Sequence, residues 1–412
     1  MKLKIRGVKV QLQGREIIKH ATLELSEGEA VVVAGPSGSG KTTFLRVISG
    51  AIPNIFGGFV KGLIHPDLET RVKAIGYLPQ EPWFGIATPY VWSEIASFSN
   101  CITDKEIEAH LTQYGLQPLK DRSTYTLSAG ETQRLAIAAA EASGKELLLL
   151  DEPTSHLDLE NSLRVKDAVK SLLKEGRSAL IIDHNPSFWD GLASEIYALV
   201  GGELRAYTPE IYAEPEERLE VLEPPNPKGG AVLEVRIASF RHPGSEKEVL
   251  RNVSFTVEEG GVTVVIGPSG IGKSTLLKVI VSAVRYGRTF VKASGKILYI
   301  PDNPLLYFTA PTLLKEVGSN GFDLLKRFGL EKAASTPIGR LSSGERRRGA
   351  IASALGRGAS VVLMDEPTIG LDPLNKVEVL EAIREAAELG TGFLIATHDP
   401  DVLRIANEVI RL

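Results

Sequence analysis

The sequence predicts an α/β fold that occurs twice in tandem, and two observations lead to this prediction. A glycine-rich loop follows a short apolar stretch in each half of the chain, as GPSGSGKT at residues 35–42 and as GPSGIGKS at residues 267–274. The same shorter motifs then follow each loop in the same order. The apolar stretches, EAVVVAG and VTVVIG, are nearly continuous, which is typical of parallel strands covered on both faces.

The elements that follow each loop also repeat. Helical stretches, TTFLRVISG and STLLKVIVSAV, come first, and the apolar runs ELLLLD, SVVLMD, SALIID and GFLIAT predict further buried strands. Asp151 and His184 each recur 214 positions later, so the second half of each domain repeats without a gap. We therefore predict one domain at residues 1–213 and another at residues 231–412. Residues 214–230, rich in Pro, Gly and charge, are expected to form a short, stiff linker.

Composition narrows the possible functions. The 412 residues are 43% hydrophobic and 24% charged with a net charge of -4, which gives no reason to expect direct nucleic-acid binding. Cys101 is the only cysteine, so an internal disulfide and a four-cysteine zinc site are excluded. Apolar runs fall far short of the ~20 residues that a membrane helix needs. A cytoplasmic protein is expected.

Both glycine-rich loops fit G-x-x-x-x-G-K-[ST], in which backbone N–H groups surround phosphate oxygens at a helix N-terminus. Lys41 and Lys273 are expected to reach the β and γ phosphates, and Thr42 and Ser274 to bind Mg²⁺. A chance glycine-rich turn is the alternative. The motif occurs twice in the same strand-loop-helix context, which argues against chance. The loop residues predicted to bind nucleotide are Gly35, Pro36, Ser37, Gly38, Ser39, Gly40, Lys41, Thr42, Thr43, Gly267, Pro268, Ser269, Gly270, Ile271, Gly272, Lys273, Ser274 and Thr275.

An Asp-Glu pair ends an apolar run in each half. Asp151 and Asp365 stand where a Mg²⁺-associated carboxylate is expected. Glu152 and Glu366 follow directly, where a carboxylate can polarise an attacking water. An acidic pair that caps a helix after a strand is the alternative. After two phosphate loops, the pairs favour hydrolysis over binding alone.

Two further positions are predicted to face the γ-phosphate. His184 and His398 each follow an apolar run 33 residues after the Asp, and a neutral imidazole there can bond a phosphate oxygen or hold the water. A lone histidine is more often structural, but these two are paired and in register. Gln80 in YLPQEPWFG can contact both Mg²⁺ and the water, and Asp302 takes its place in the second copy.

The motifs LSAGE and LSSGE begin helical stretches, and a hydroxyl with free backbone N–H groups at a helix start suits a γ-phosphate. The residues predicted to act here are Ser128, Gly130, Ser342 and Gly344. Plain helix capping is the alternative. The arginines at residues 346–348 are interpreted as a solvated face.

These motifs resemble those of the ATP-binding-cassette (ABC) family over nearly the whole chain, and LSxGE separates that family from other phosphate-loop proteins. The resemblance implies two α/β nucleotide-binding domains, each with a mostly parallel core sheet and a helical subdomain, paired head to tail within the chain. ATP and Mg²⁺ would lie between one domain's phosphate loop and the other's LSxGE. The first site would combine Lys41, Thr42, Gln80, Asp151, Glu152 and His184 with Ser342, Ser343 and Gly344; the second would combine Lys273, Ser274, Asp302, Asp365, Glu366 and His398 with Ser128, Ala129 and Gly130; Asp158 and Asp372 would lie at the interface.

Two departures from the family pattern predict unequal sites. The second domain offers Phe240 or His242 to stack on adenine, whereas the matching stretch of the first, VKVQLQ around Val10 and Leu12, has no aromatic residue. Asp302 replaces the usual glutamine, and a carboxylate near triphosphate repels it unless Mg²⁺ lies between. The second site is therefore expected to couple differently or to turn over more slowly.

Within the family, the stretches ATPYVWSEIASFS and FTAPTLLKEVGSN resemble those of energy-coupling-factor and cobalt-type importers. This likeness implies ATP hydrolysis that drives separate membrane-spanning subunits, contacted through the Gln80 and Asp302 loops at the inner face of the membrane, for uptake of a vitamin or metal ion. Aromatic residues after Gln80 fit a groove for a partner helix or ordinary packing equally well. The alternatives are a soluble tandem ATPase that acts on ribosomes or nucleic acid, and a regulatory ATP-binding module without turnover.

Overall fold

The computed structural model describes the chain except residues 81, 99–101, 156, 243–247, 269, 283–288 and 319–320, and it leaves the side chains of Pro82, Ala129 and Thr289 undescribed. The chain divides into two compact units, unit 1 at Met1–Ile211 and unit 2 at Tyr212–Leu412. In the described part of the chain, no helix combines the length and the apolar character needed to span a bilayer.

Unit 1 alternates strands and helices, as the sequence predicts. Its strands are β1 Leu3–Leu12, β2 Arg15–Leu25, β3 Ala30–Ala34, β4 Phe59–His65, β5 Ile75–Leu78, β6 Leu147–Asp151, β7 Ser178–Ile182, β8 Glu195–Val200 and β9 Glu203–Ala206. Its α-helices are α1 Lys41–Ile48, α2 Ala51–Asn54, α3 Leu68–Ala74, α4 Val91–Ser97, α5 Asp104–Gln113, α6 Ala129–Ala142 and α7 Leu159–Lys174.

The described strands of unit 1 form one sheet in the order β4-β1-β2-β9-β8-β3-β7-β6-β5. Strands β8, β3, β7, β6 and β5 pair in parallel, while β1 pairs antiparallel with β2 and β4. Every residue of β3, β6 and β7 is buried because apolar side chains cover both faces of the sheet. The carboxyl ends of these three strands meet at one edge, and there the predicted functional residues begin.

Unit 2 repeats this plan in two described sheets. The order is β11-β10-β13 in one and β14-β15-β16-β12-β17 in the other, and the second sheet is parallel. Its strands are β10 Ala231–Arg241, β11 Glu248–Glu258, β12 Val262–Ile266, β13 Thr289–Ala293, β14 Lys296–Ile300, β15 Ala359–Asp365, β16 Gly392–Thr397 and β17 Glu408–Arg411. Its α-helices are α8 Ala213–Glu220, α9 Lys273–Ser282, α10 Leu313–Val317, α11 Phe322–Arg327, α12 Ser343–Gly356 and α13 Pro373–Glu388.

The segment expected to be a linker, residues 214–230, holds all but the first residue of helix α8, which belongs to unit 2. Leu219 is buried in the apolar core of that unit. Arg218 donates to Glu381 of α13 at 3.2 Å from Nε and at 2.5 Å from Nη2. The helix forms because one apolar face can be buried against α13, a tertiary contact that a short segment rich in charge does not reveal.

Candidate functional site

The first glycine-rich loop joins the end of β3 to the start of α1. Gly40 has φ 102° at the helix N-cap, and a Cβ on Gly35 would lie 2.4 Å from the carbonyl oxygen of Leu199, so these positions favour glycine. Lys41 is 6% exposed, and its Nζ donates to the carbonyls of Gly35 at 2.7 Å and Pro36 at 3.0 Å. A buried ammonium beside a loop of backbone N–H groups is a setting that attracts phosphate.

The second loop repeats this geometry between β12 and α9. Gly272 has φ 119°, and a Cβ there would lie 2.8 Å from the Val249 side chain. Lys273 is 7% exposed and donates to the carbonyls of Gly267 at 2.7 Å and Pro268 at 3.3 Å. Ser269, predicted to bind phosphate, lies outside the described residues.

The remaining loop residues line the same two turns. Gly38 and Gly270 have φ values of 76° and 79°, and a Cβ at either position would meet no described atom within 4 Å. Ser39 Oγ is buried without a hydrogen-bond partner among the described residues, so this hydroxyl can bond a phosphate oxygen. Thr275 Oγ1 lies 3.4 Å from His242 Nε2, which brings one of the two predicted adenine-stacking residues to the loop.

A carboxylate and a hydroxyl meet beside each loop. The Asp151 side chain is fully buried at the end of β6, where burial raises its pKa to about 6 while the Thr42 hydroxyl and Lys41 oppose the rise. Tyr77 donates to Asp151 Oδ2 at 3.3 Å, and Oδ1 is buried with no hydrogen-bond partner in the described residues. A free carboxylate oxygen beside a hydroxyl fits Mg²⁺, which proteins commonly bind through one carboxylate plus substrate phosphates.

Unit 2 has the same arrangement. Burial raises the pKa of Asp365 to about 6, and the Ser274 hydroxyl opposes the rise. Tyr299 donates to Asp365 Oδ2 at 3.2 Å, and Asp365 Oδ1 is buried without a partner among the described atoms. Sequence reasoning missed both tyrosines, although each stands in the repeated Tyr-x-Pro stretch before Gln80 or Asp302.

Glu152 follows Asp151 in a strained backbone conformation, with φ 50°. Gln80 Nε2 donates to its Oε2 at 2.6 Å, and His184 Nε2 lies 2.6 Å from its Oε1. Burial alone would raise the pKa of Glu152, but His184, Lys41 and the Gln80 amide together lower it. The structure thus brings three predicted residues of unit 1 into direct contact around one ionised carboxylate.

Glu366 has the equivalent conformation, with φ 45°, but different partners. Thr397 Oγ1 donates to its Oε2 at 2.8 Å, and His398 Nδ1 lies 2.9 Å from its Oε1. This hydrogen bond raises the pKa of His398. Asp302 is exposed and accepts from the backbone N–H of Asn303 at 2.9 Å, so the counterpart of Gln80 makes a different contact.

The residues beside the two histidines also differ. Asp183 precedes His184, is buried, and accepts from Thr154 Oγ1 and Trp189 Nε1, each at 2.9 Å. Burial raises the pKa of Asp183. The counterpart of Asp183 is Thr397, which donates to Glu366 instead. Sequence reasoning missed this exchange, which the repeat could have revealed.

The two LSxGE motifs begin α6 and α12 with capping boxes. Ser128 Oγ accepts from the Glu131 N–H at 3.3 Å, and Ser342 Oγ accepts from the Glu345 N–H at 3.2 Å. Because each hydroxyl oxygen accepts this bond, its own hydrogen can still be donated to another acceptor.

The glycines of these motifs and the two aspartates expected at the domain interface have defined places in the helices. A Cβ on Gly344 would lie 2.0 Å from Asn375 Oδ1, so a larger residue there would displace the Asn375 side chain. Gly130 lies in the first turn of α6, and Ser343 in the first turn of α12. Asp158 and Asp372 cap α7 and α13 by accepting from backbone N–H groups at 2.9 and 2.7 Å.

A buried glutamate anchors the loop after Gln80. Glu94 is fully buried and accepts from the backbone N–H of Thr88 at 2.7 Å and of Ala87 at 3.0 Å. In unit 2, Glu316 accepts from Ala310 at 2.7 Å and pairs with Arg357. Sequence reasoning missed this role, which was detectable because each glutamate stands 14 residues after Gln80 or Asp302.

The arginines at residues 346–348 do not form a solvated face, so that interpretation was wrong. Arg347 is 5% exposed, and its Nη2 donates to the carbonyl of Ile369 at 2.7 Å. Arg348 pairs with Glu378 at 2.9 Å. Three consecutive charges on a helix suggest exposure to solvent, but Arg348 contacts α13 through Glu378, and Arg347 is buried against the segment after β15 that contains Ile369.

The sequence matches the family described as "ABC transporter" over residues 18–155 and 250–369, one segment in each unit. Relatives align with nearly the whole chain. A Sulfurisphaera tokodaii protein named "Putative ABC transporter ATP-binding protein" is 30% identical over 97% of this chain and 93% of its own. The Bacillus subtilis protein "Putative HMP/thiamine import ATP-binding protein YkoD" is 28% identical over 94% of this chain and 85% of its own.

Solved structures share the fold at lower identity. One described as "RNase-L Inhibitor" has a TM-score of 0.63 and 23% identity over 98% of this chain and 87% of its own. Another, described as "Model of ribosome-bound archaeal Pelota and ABCE1", has a TM-score of 0.72 and 22% identity over 98% of this chain and 76% of its own. Both structures cover 98% of this chain, so the likeness in fold includes both units.

Proposed function

Because the chain belongs to the ABC transporter family, we propose that it is the ATP-hydrolysing subunit of a transporter and drives a separate membrane-spanning subunit. The observation that supports hydrolysis most directly is the contact of each predicted general base with a histidine, Glu152 with His184 at 2.6 Å and Glu366 with His398 at 2.9 Å. Each pair lies beside a buried phosphate-loop lysine of its own unit.

The chemistry follows from these placements. In unit 1 the ionised carboxylate of Glu152 can accept a proton from the attacking water, and Lys41 can stabilise negative charge on the phosphate. Thr42 and Asp151 would hold Mg²⁺, which would neutralise negative charge on the phosphates. Lys273, Ser274, Asp365 and Glu366 would take the same roles in the second site.

Two composite sites are part of this proposal. We expect each phosphate loop to face the LSxGE motif of the other domain, because the capping hydroxyls of Ser128 and Ser342 keep a donor for a γ-phosphate oxygen. With domains at residues 1–213 and 231–412, both motifs needed for each site are present in one chain. ATP would close the pair, and hydrolysis would reopen it.

The proposed contact with the membrane subunit is the segment after Gln80. Its aromatic side chains are exposed in unit 1: Phe84 by 76%, Tyr90 by 47% and Trp92 by 39%. Exposed aromatic clusters are favoured anchors for partner helices. The import function named for the Bacillus subtilis relative, that of HMP or thiamine, fits this proposal and favours uptake of a vitamin. The resemblance of the loop segments to cobalt-type importers keeps a metal ion as the other substrate class, with the chain bound at the inner face of the membrane.

The alternative is a soluble tandem ATPase that acts on ribosomes, since one structural neighbour is part of a ribosome-bound assembly. At 22% identity, that likeness extends only to the fold. The relatives of higher identity are named as import or transporter ATP-binding proteins. They favour the first proposal, which includes no direct nucleic-acid binding.

Purification of the tagged chain from native membranes in mild detergent tests the proposal. We expect a polytopic membrane protein to accompany the wild type and the Phe59→Ala variant, whose exposed ring lies on the edge strand β4. The Phe84→Ala variant should lose that partner while its ATPase activity persists. Ribosomes or nucleic acid in place of a membrane protein would contradict the transporter role and favour the alternative.

A further inference from the structure

The proposed general base of each unit is held by the same backbone contact. The N–H of Glu152 donates to the carbonyl of Ile182 at 2.9 Å, and the N–H of Glu366 donates to the carbonyl of Ala396 at 2.8 Å. Both residues have a positive φ, of 50° and 45°. Any difference in how the two carboxylates are oriented therefore arises from the neighbouring side chains and not from the main chain.

The side chain that donates to Oε2 of the general base stands at a different position in each unit. In unit 1 it is the amide of Gln80, in the loop after β5, at 2.6 Å. In unit 2 it is the hydroxyl of Thr397, the last residue of β16, at 2.8 Å. Asp302 is the counterpart of Gln80, and Asp183 is the counterpart of Thr397. Each unit thus has one donor and one carboxyl group at these two positions, and the donor has changed place.

The environment of Thr397 fixes the direction of its hydrogen bond. The backbone N–H of Asp399 donates to Thr397 Oγ1 at 3.0 Å, so this oxygen already serves as an acceptor. An ionised carboxylate can only accept, and the single hydrogen of the hydroxyl is therefore donated to Glu366. Thr397 is fully buried, where a hydrogen bond to a charged group is stronger than in water.

The same backbone contact occurs in unit 1 without a donor beside it. The N–H of Asn185 donates to Asp183 Oδ1 at 2.9 Å, as the N–H of Asp399 does to Thr397. Asp183 Oδ2 accepts two further hydrogen bonds, each of 2.9 Å. Asp183 uses both of its oxygens as acceptors, which leaves the donor role in unit 1 to Gln80.

We propose that Thr397 is a positioning residue of the second ATP site, which holds the carboxylate of Glu366 in the orientation that hydrolysis needs. It takes the part that Gln80 has at Glu152. Asp302 cannot take that part, because an ionised carboxylate has no hydrogen to donate. Thr397 acts through Glu366, so its loss should change kcat far more than KM for ATP. The inference rests on the proposed hydrolysis at this site.

The geometry also indicates which substitution should compensate for a lost hydroxyl. Tyr77 and Tyr299 donate to the aspartates at the ends of β6 and β15, at 3.3 and 3.2 Å. The loops that carry Gln80 and Asp302 therefore leave the sheet from equivalent anchors. The Asp302→Gln substitution should bring an amide donor to Glu366.

Steady-state ATP hydrolysis in the Glu152→Gln background tests this role, because the remaining turnover then reports on unit 2. Thr397→Val keeps the shape of the side chain without its hydroxyl, and it should lower kcat roughly 10-fold or more with KM changed by less than ~3-fold. Thr397→Ser keeps the donor and should stay within ~3-fold of the parent. Asp302→Gln should raise the kcat of Thr397→Val by more than it raises that of the parent.

Thr391→Val is the matched control for this substitution. Thr391 directly precedes β16 at its opposite end, is buried, and donates to the carbonyl of Ala359 at 3.4 Å. It should leave kcat within ~2-fold of the parent. The proposal would be overturned by parent-like turnover of Thr397→Val, by an equal loss in Thr397→Ser, or by an equal effect of Asp302→Gln with and without the Thr397 hydroxyl.

Thermal unfolding without nucleotide separates this inference from the proposed function. Thr397→Val should lower Tm by about 3–6 °C when Glu366 is present, and by less than about half as much in the Glu366→Ala variant. Equal shifts in both would overturn the hydrogen bond even if ATP is hydrolysed. Unequal shifts in a chain that hydrolyses no ATP would support the hydrogen bond and contradict the proposed function.

Discussion

Gln80 donates a hydrogen bond of 2.6 Å to the carboxylate of Glu152. The same carboxylate lies 2.6 Å from His184, so the general base proposed for the first site is held from two sides. Glu366 also contacts a histidine, His398, but its second carboxylate oxygen accepts a hydrogen bond from the hydroxyl of Thr397 and not from an amide. The two carboxylates therefore face different donors, and their contributions to turnover should differ.

We expect Glu152→Gln to lower ATPase activity of the whole chain by about 10²-fold, in the range of lost general-base catalysis, and Glu366→Gln to lower it by less than about 10-fold. The reason is that the amide of Gln80, which Asp302 cannot replace, orients only Glu152. Steady-state ATP hydrolysis at saturating ATP and Mg²⁺ measures both. Equal losses would argue against unequal sites, and unfolding curves check that both variants remain folded.

Backbone strain at Glu152 should be detectable in stability. Its φ of 50° is unfavourable for a residue with a Cβ and ordinary for glycine. The Glu152→Gly variant should therefore be more stable than Glu152→Ala by about 1 kcal/mol, although both lose hydrolysis at that site. Urea unfolding measures the difference.

Exposed Asp167 in α7 is the matched position for this comparison. Because Asp167 lies in a helix interior, the Asp167→Gly variant should be less stable than Asp167→Ala by about 1 kcal/mol. This order is the opposite of the one expected at Glu152. If Glu152→Gly is also less stable than Glu152→Ala, the positive φ at position 152 does not lower the free energy of unfolding.

Glu94 should be a stability determinant of the loop that carries the exposed aromatics. Glu94→Ala removes the acceptor of two backbone N–H groups, those of Ala87 and Thr88, and should lower the free energy of unfolding by about 1.5–3 kcal/mol. Glu94→Gln keeps one acceptor and should cost less. Glu69→Ala, at an exposed position of α3, is the control and should change stability by less than about 0.5 kcal/mol. Equal effects of Glu94→Ala and Glu69→Ala would contradict the anchoring role.

Much of the fold was predictable because the repeat supplies each motif twice. The family comparison and the structure confirm the tandem α/β architecture, with the phosphate loops between a buried strand and a helix. Asp151 and His184 were predictable because they follow apolar runs, and parallel strands end at one edge of the sheet.

The remaining features depend on tertiary contacts. Arg347 is buried where its Nη2 reaches the carbonyl of Ile369 in the segment after β15, and α8 folds because Leu219 enters the core of unit 2. Neither contact has a signature in local sequence. The aligned repeat shows that Thr397 takes the place of Asp183. It does not show that Asp183 accepts from Thr154 whereas Thr397 donates to Glu366, because these contacts depend on the folded structure.

Lys376 should make the stability of unit 2 depend on pH. Its Nζ lies 2.9 Å from Asp399 and 2.8 Å from Asp401, and Asp399 directly follows His398. Burial raises the pKa of Asp399, but the Lys376 charge and hydrogen bonds outweigh it, so the pKa falls below its usual range. A lowered carboxyl pKa contributes stability that is present above the unfolded value and is lost as pH falls through the folded value.

Lys376→Met should therefore destabilise the chain most at neutral pH, because it leaves the Asp399 carboxylate buried without its cation. We expect a loss of about 3 kcal/mol at pH 7 that shrinks toward pH 4, where Asp399 in the variant becomes protonated. Urea unfolding at several pH values measures the difference from wild type. Lys170→Met removes an exposed lysine of α7 and should show a small, nearly constant difference. If the Lys376→Met difference does not change with pH, Lys376 contributes through packing of its alkyl chain and not through its charge.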